Sequence, residues 1–293
     1  MFARVTELMK LSVSLFHLSR NGRRIWKLQE MVASGRKVLR PSDDPLGAMS
    51  AIRLKGQLEQ FEQYKRNIEF GLRWLNYTEA ILDNLEELIA KAKEIAVSQA
   101  SDTANLDTRR ASAAYIRGLR EAVLQLANST YEGRPVFSGL SGKEAYSSEG
   151  VYQGDQGGFK IAVAEGVLVQ VNLTGPRVFG EGQENLIQYL DRLAQALETD
   201  QRELVAQGID HLEGFLNRVI EARSQLGSWY AQLEAYRNIL EQRSIKVTEG
   251  LSEVVDCDIA QAITELSSRQ LAYEATLLST KRLFEETLIS FLR

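Results

Sequence analysis

The chain has 293 residues, of which 44% are hydrophobic and 25% charged, with a net charge of −4. These values suit a soluble globular protein of one large or two smaller domains, and they lack the basic excess of a nucleic-acid-binding surface. One cysteine excludes an intramolecular disulfide framework, and the two histidines, His17 and His211, have no Cys or His at ligand spacing, so neither a metal nor a cofactor is expected.

The first residues, MFARVTELMKLSVSLFHLSR, do not read as a secretory leader, because Lys10, Ser12, Ser14 and His17 break the apolar run such a leader needs. No stretch approaches the roughly 20 apolar residues of a membrane span. From Leu8 the apolar positions instead step by three and four: Leu8, Leu11, Leu15, Leu18, Gly22, Ile25, Gln29, Val32. That is a heptad seam with two interruptions, and it should end near Ser34-Gly35, because glycine favours the position just past a helix.

The four prolines, Pro41, Pro45, Pro135 and Pro176, leave 46–134 and 177–293 free of proline. Proline in a helix interior costs roughly 3 kcal/mol, so these are the stretches where long helices persist. Asp44 with Pro45 reads as an N-cap followed by the first helical residue. The helix it starts carries Phe61, Tyr64, Ile68, Leu72, Leu75, Leu82, Leu85, Ile89 and Ala92, and should end around Ser98–Thr103. Another is expected from about Asp107 to Thr130, with Ala113, Ile116, Leu119, Val123 and Leu126 on one face.

The centre changes period, and 11 of the 21 glycines lie between Gly133 and Gly182. Phe159–Val163 and Val167–Val171 alternate as half-buried strands do. A three-residue loop, Ala164-Glu165-Gly166, would pair Val163 with Val167, Ile161 with Val169 and Phe159 with Val171, putting six apolar side chains on one face. After Gly182 the helical pattern returns. It is strongest in Leu212, Phe215, Val219, Ala222, Leu226, Trp229, Leu233, Tyr236 and Leu240. A weaker seam follows: Ile259, Ile263, Leu266, Gln270, Tyr273, Leu277, Thr280, Phe284, Thr287 and Phe291. The two terminal seams must find partners, either each other, antiparallel in one chain, or neighbouring subunits.

No catalytic constellation stands out. Asp43 and Asp44 beside Pro45 read as turn and cap residues rather than an acid–base pair. Asp256 and Asp258 flank Cys257 but would not face each other on a helix. Gly154-Asp155-Gln156-Gly157-Gly158 lacks the Lys-Ser/Thr of a phosphate loop and reads as a turn into the first strand. The Asn-X-Ser/Thr triplets at Asn76, Asn128 and Asn172 carry no special weight. Trp74 and Trp229 read as core.

These features resemble the flagellin family, whose members place helical ends around a β-rich middle. Ser34-Gly35-Arg36-Lys37-Val38-Leu39-Arg40-Pro41-Ser42-Asp43-Asp44-Pro45 is similar to the segment after the first helix in the hook–filament junction members of that family. Ordinary flagellins typically have Ala-Lys-Asp-Asp-Ala in place of Arg-Pro-Ser-Asp-Asp-Pro. Arg4-Val5-Thr6, Gly133-Arg134 with Val136-Phe137-Ser138-Gly139, Tyr152-Gln153-Gly154-Asp155, and Arg223, Leu226, Gly227, Leu233 and Glu234 extend the likeness. The end, from Asp258-Ile259-Ala260 to Phe291-Leu292-Arg293, looks like the family's terminal helix. Two departures are Pro135, where the family usually has an aromatic, and a middle with room for only one small β domain.

The resemblance implies a mainly α fold with a small β-rich central domain, its N- and C-terminal segments forming a long antiparallel helical bundle. Five segments are expected: 1–40 and 256–293 as coiled-coil assembly helices, 41–132 and 183–255 as the two halves of a helical rod, and 133–182 as the β-rich domain. The implied role is structural and non-enzymatic, an extracellular axial subunit of the bacterial flagellum at the hook–filament junction. It implies unfolded export through the flagellar type III apparatus. The implied partners are further copies in a ring, the hook-proximal junction protein, the filament subunit, and an export chaperone on about 250–293, with no nucleic acid or membrane. The residues expected to pack in assembly are Leu8, Leu11, Leu15, Leu18, Ile25, Ile263, Leu266, Tyr273, Leu277 and Phe284, with Arg40–Pro45 as the family motif. The terminal seams are also expected to be mobile in a free monomer, ordering when neighbours bury them. The rival readings are a filament-forming flagellin and, in a different class, a helical enzyme or binding module using a pocket around Tyr152, Asp155 and Arg177.

Overall fold

The structure, a computed structural model, describes residues 7–101 and 105–291. It contains seven α-helices and four short strands in these residues: α1 (Glu7–Ser34), α2 (Pro45–Ala100), α3 (Leu106–Ala127), β1 (Thr130–Tyr131), β2 (Arg134–Pro135), β3 (Lys160–Ala164), β4 (Val167–Gln170), α4 (Gly175–Phe179), α5 (Leu186–Glu198), α6 (Arg202–Val255) and α7 (Ile259–Phe291). A mainly α fold with a small β-rich centre is what the proline and glycine distribution led us to expect. The chain divides into two compact units, residues 61–242 and residues 1–60 with 243–293.

The unit of residues 61–242 holds the main core. Ile68, Leu75, Leu82, Leu85 and Ile89 of α2, Ile116 and Val123 of α3, Leu190 and Leu197 of α5, and Leu212, Val219 and Leu233 of α6 are all buried in one cluster. Their three- and four-residue spacing is the apolar stripe that lets a long helix exist by packing. Arg223 of α6 reaches three carboxylates of α2, Glu79 at 2.7 Å, Asp83 at 3.3 Å and Glu86 at 2.5 Å. Its guanidinium pKa is raised, chiefly by the Glu86 and Glu79 hydrogen bonds.

α3 is shorter than the expected 107–130. Asn105 caps its start, its side chain accepting from Thr108 N at 2.8 Å. At the other end the Asn128 amide turns inward, donating to Tyr146 O and accepting from Tyr146 N, each at 2.8 Å. The chain then enters the β1–β2 hairpin, whose two turn residues, Glu132 and Gly133, have φ of 48° and 78°. Positive φ at both positions is the hairpin turn that matches strand twist.

The β3–β4 hairpin keeps the expected inner face but not the expected turn. Ile161 pairs with Val169, and Val171 N donates to Phe159 O at 3.0 Å, as the alternation requires. The closing pair is Ala164 with Val167, however, and the register shifts between Ala162 and Ala164. The loop is therefore two residues, Glu165-Gly166, and Val163 is the extra residue of a bulge. The bulge lets Val163 stay buried beside Ile161 and Val169, so burial is preserved while the turn shortens. Gly166, at φ 70°, supplies the left-handed position.

In the other unit α1 and α7 pack against each other antiparallel. α1 stops at Ser34 with Gly35 at φ 69°, its N–H donating to Met31 O at 2.9 Å. α2 starts at Pro45 with Asp44 Oδ1 accepting from Gly47 N at 2.9 Å. Both ends fall where cap chemistry placed them.

Candidate assembly site

The expected assembly residues lie on α1 and α7, so the site is built from that pair and the two segments that lead out of it. Those segments are clasped together. Lys37 N donates to Val255 O and Cys257 N to Gly35 O, both at 2.8 Å, on either side of an antiparallel bridge between Arg36 and Asp256. Lys37 Nζ also donates to the Glu253 carbonyl. The acidic residues around Cys257 are absorbed by helix ends. Asp256 accepts from Ser252 Oγ at 2.6 Å, and Asp258 Oδ1 accepts from Gln261 N at 3.1 Å to cap α7.

The motif Arg40–Pro45 folds back on α1. Asp43 accepts from Lys27 Nζ at 2.8 Å and from Arg40 N at 3.2 Å. The Lys27 bond is the first cause holding its carboxyl below the ordinary carboxylate range. Arg40 lies 3.7 Å from Glu30 and places its guanidinium 5.8 Å from the Trp26 ring. Pro41 and Ser42 are exposed in the turn, and Asp44 and Pro45 open α2. The motif thus sets the direction in which the chain leaves α1.

Along the α1–α7 pair the seam differs from the strict heptad reading. Leu28, not Gln29, is buried between Ile25 and Val32. A helix of 3.6 residues per turn drifts against a seven-residue repeat, and the contact face drifts with it. On α7 the inward row is Ala262, Leu266, Arg269, Tyr273, Thr276 and Thr280, and Tyr273 lies against the open face of Gly22. Leu18, Ile25, Leu266 and Tyr273 are half-buried, whereas Leu15, Ile263 and Leu277 are exposed. The side chains of Leu8, Leu11 and Phe284 lie outside those described. Sequence spacing missed Leu28 and Ala262, and it also missed the exposed Phe16, Leu271 and Leu278; the seven-residue separation of the last two was the available signal.

Tyr152, Asp155 and Arg177 do not converge. Tyr152 Oη donates to the carbonyls of Asp155 and Phe137, at 2.6 and 3.1 Å. Asp155 Oδ1 accepts from Leu140 N and Gly157 N. Arg177 instead lines an open groove of about 610 Å³ with Leu173, Glu181, Arg218 and Glu221. Among the described residues no three His, Cys, Asp or Glu side chains gather as a metal site, and no helix is long and apolar enough to cross a membrane.

The terminal helices thus pair with capped ends and leave apolar side chains such as Phe16, Leu271 and Leu278 exposed. Two family models match the chain: the bacterial flagellin N-terminal helical region over residues 6–141, and the bacterial flagellin C-terminal helical region over residues 209–292. The chain belongs to the flagellin family, and its role is that of an axial structural protein of the flagellum. It is 29% identical to flagellar hook-associated protein 3 of Escherichia coli (strain K12), over 85% of this chain and 87% of that one. A flagellin of Halalkalibacterium halodurans is 22% identical over 85% and 84%. A solved structure from Vibrio parahaemolyticus, described as a flagellar hook-associated protein, shares the fold with a TM-score of 0.69 at 20% identity, covering 73% of this chain and all of that one.

Proposed function

We propose that this chain is the axial subunit that joins the flagellar hook to the filament. The observation that carries this reading is near full-length similarity to hook-associated protein 3, higher than to the flagellin of H. halodurans over a like span. The Arg40–Pro45 turn supports it, because its residues hold α1 through Lys27, Glu30 and Trp26 and launch α2 in one step. Copies of the chain form a ring, seated between the hook-proximal junction protein and the first filament subunits, with residues 1–40 and 256–293 packing between neighbours. The chain reaches that place unfolded through the flagellar type III apparatus, with a chaperone on about 250–293 beforehand. A surface built of exposed rows on paired helices suits this route, since neighbours can complete its burial after export.

The test is a clean deletion in the source bacterium, with electron microscopy of the cell surface and an assay of filament protein in the medium. Hooks without filaments, with filament protein shed into the medium, is the expected result. Loss of the filament protein itself would identify a flagellin instead, and normal flagella would overturn the reading.

A further inference from the structure

α1 and α7 each bury one face against the other, and each carries a second row at heptad spacing on the opposite side. On α1 this row is Met9, Val13, Phe16, Arg20, Arg23 and Lys27, all exposed. On α7 it is Leu271, Glu274 and Leu278, with the two leucines 68% and 60% exposed. Arg20, Arg23 and Glu274 make no ion pair among the described residues. A seven-residue repeat of exposed apolar side chains is what a helix shows when a second helix is to lie along it.

The register inside the chain fixes the height of each row. Gly22 faces Tyr273 and Gly35 bonds to Cys257, and both helices rise about 1.5 Å per residue. Phe16, six residues before Gly22, is therefore level with Leu278, five after Tyr273. Arg20 is level with Glu274. Two positions of the outward rows thus match in kind and height, Phe16 with Leu278 and Arg20 with Glu274, while Leu271 stands level with Arg23.

We infer that the outer face of α7 is covered by the outer face of α1 from a second copy of this chain, antiparallel and at the same height. Phe16 of one copy then packs on Leu278 of the next, and Arg20 and Arg23 flank Glu274. The contact is heterologous, so each copy offers both halves and the contact repeats around a closed ring. This inference rests on the junction reading, and it adds which faces meet, in what direction and at what height.

The test is disulfide capture in a Cys257→Ser background carrying Phe16→Cys and Leu278→Cys. Packed helix axes lie about 8–10 Å apart and these two rows point away from each other within one chain, whereas a disulfide needs Cβ atoms about 3.5–4.5 Å apart. The bond therefore cannot close within one chain. Flagella isolated from the source bacterium, with this variant as its sole copy, are mildly oxidised and run without reductant. The expected result is a ladder of multiples of this chain, absent from either single-cysteine variant. Glu274→Arg should cut the ladder at least about 10-fold, and adding Arg20→Glu with Arg23→Glu should restore it. A monomer band from flagella that contain the chain overturns the inference and leaves the junction reading standing, as does capture of a different protein. Absence of the unsubstituted chain from isolated flagella overturns both.

Discussion

Arg109 is the side chain whose placement asks most of its surroundings. It is 1% exposed, yet its Nε and Nη2 reach only the carbonyls of Gln99 and Ser101, both at 3.2 Å. Its counter-charge is Asp200, at the α5–α6 turn with φ 57°. A buried cation without a counter-charge is costly, because desolvation is no longer offset. Asp200→Asn is the informative change, since asparagine tolerates the left-handed backbone and only the charge is lost. We expect a loss of about 1–3 kcal/mol in urea unfolding. A change within about 0.5 kcal/mol would show that solvent at the half-exposed Asp200 already screens the pair. Tyr152 gives a prediction in pH. Burial, then the Asp155 charge, push its phenol from 10.0 up to about 12. A raised folded pKa stabilises fully below the unfolded value and is lost as pH rises through the folded one. Thermal melts should therefore fall more steeply between pH 10 and 12 for the native chain than for Tyr152→Phe. At neutral pH the variant should be weaker by about 1 kcal/mol, having lost its bonds to Asp155 and Phe137.

At the scale of elements, two glycines separate local from tertiary causes. Gly35 ends α1 in the left-handed region, with nothing near a would-be Cβ, so Gly35→Ala should cost about 1–2 kcal/mol through the backbone alone. Gly71 sits inside α2, where a Cβ would lie 2.5 Å from Ile161 Cδ1 and 2.9 Å from Leu233 Cδ1. Gly71→Ala should therefore cost about 1–3 kcal/mol by overpacking, against the gain in helix propensity it would otherwise bring. Urea unfolding reads both, and a stabilised Gly71→Ala would mean that β3 and α6 yield easily. The contrast shows what was legible beforehand. Gly35, Asp44 and Pro45 act through bonds within four residues, so α1 ended and α2 began where their chemistry pointed. Gly71 acts through Ile161 and Leu233, far away in sequence, and nothing near it announces that contact. The same holds for the clasp of Gly35 and Lys37 with Val255 and Cys257. The β3–β4 alternation gave the buried face, but the bulge at Val163 depends on what that face packs against. On α1, Leu28 displaced Gln29 because the contact face drifts, which residue spacing taken as a rigid repeat does not follow.

At the scale of the molecule, burial is unevenly shared between the two units. The cluster running from Ile68 to Leu240 lies wholly in residues 61–242. Among the described side chains of α1 only Leu28 is buried, and among those of α7 only Ala262 and Thr280. Opening free energy tracks the apolar surface an element hides, so parts of one chain can differ by its full stability. Hydrogen exchange on the purified chain at low concentration should then show two classes. Amides of α3, α5 and the stretches 68–96 and 212–240 should exchange only by global opening, at rates set by overall stability. Amides of α1 and α7 should exchange orders of magnitude faster through local opening, despite their hydrogen-bonded geometry. On the proposed packing the same two helices should gain protection in isolated flagella, because neighbours would cover their outward rows. Strong protection across 8–32 and 259–291 in the free chain would mean that the α1–α7 seam suffices by itself. The terminal pair would then be a preformed rod, and burial by neighbours would no longer be what orders it.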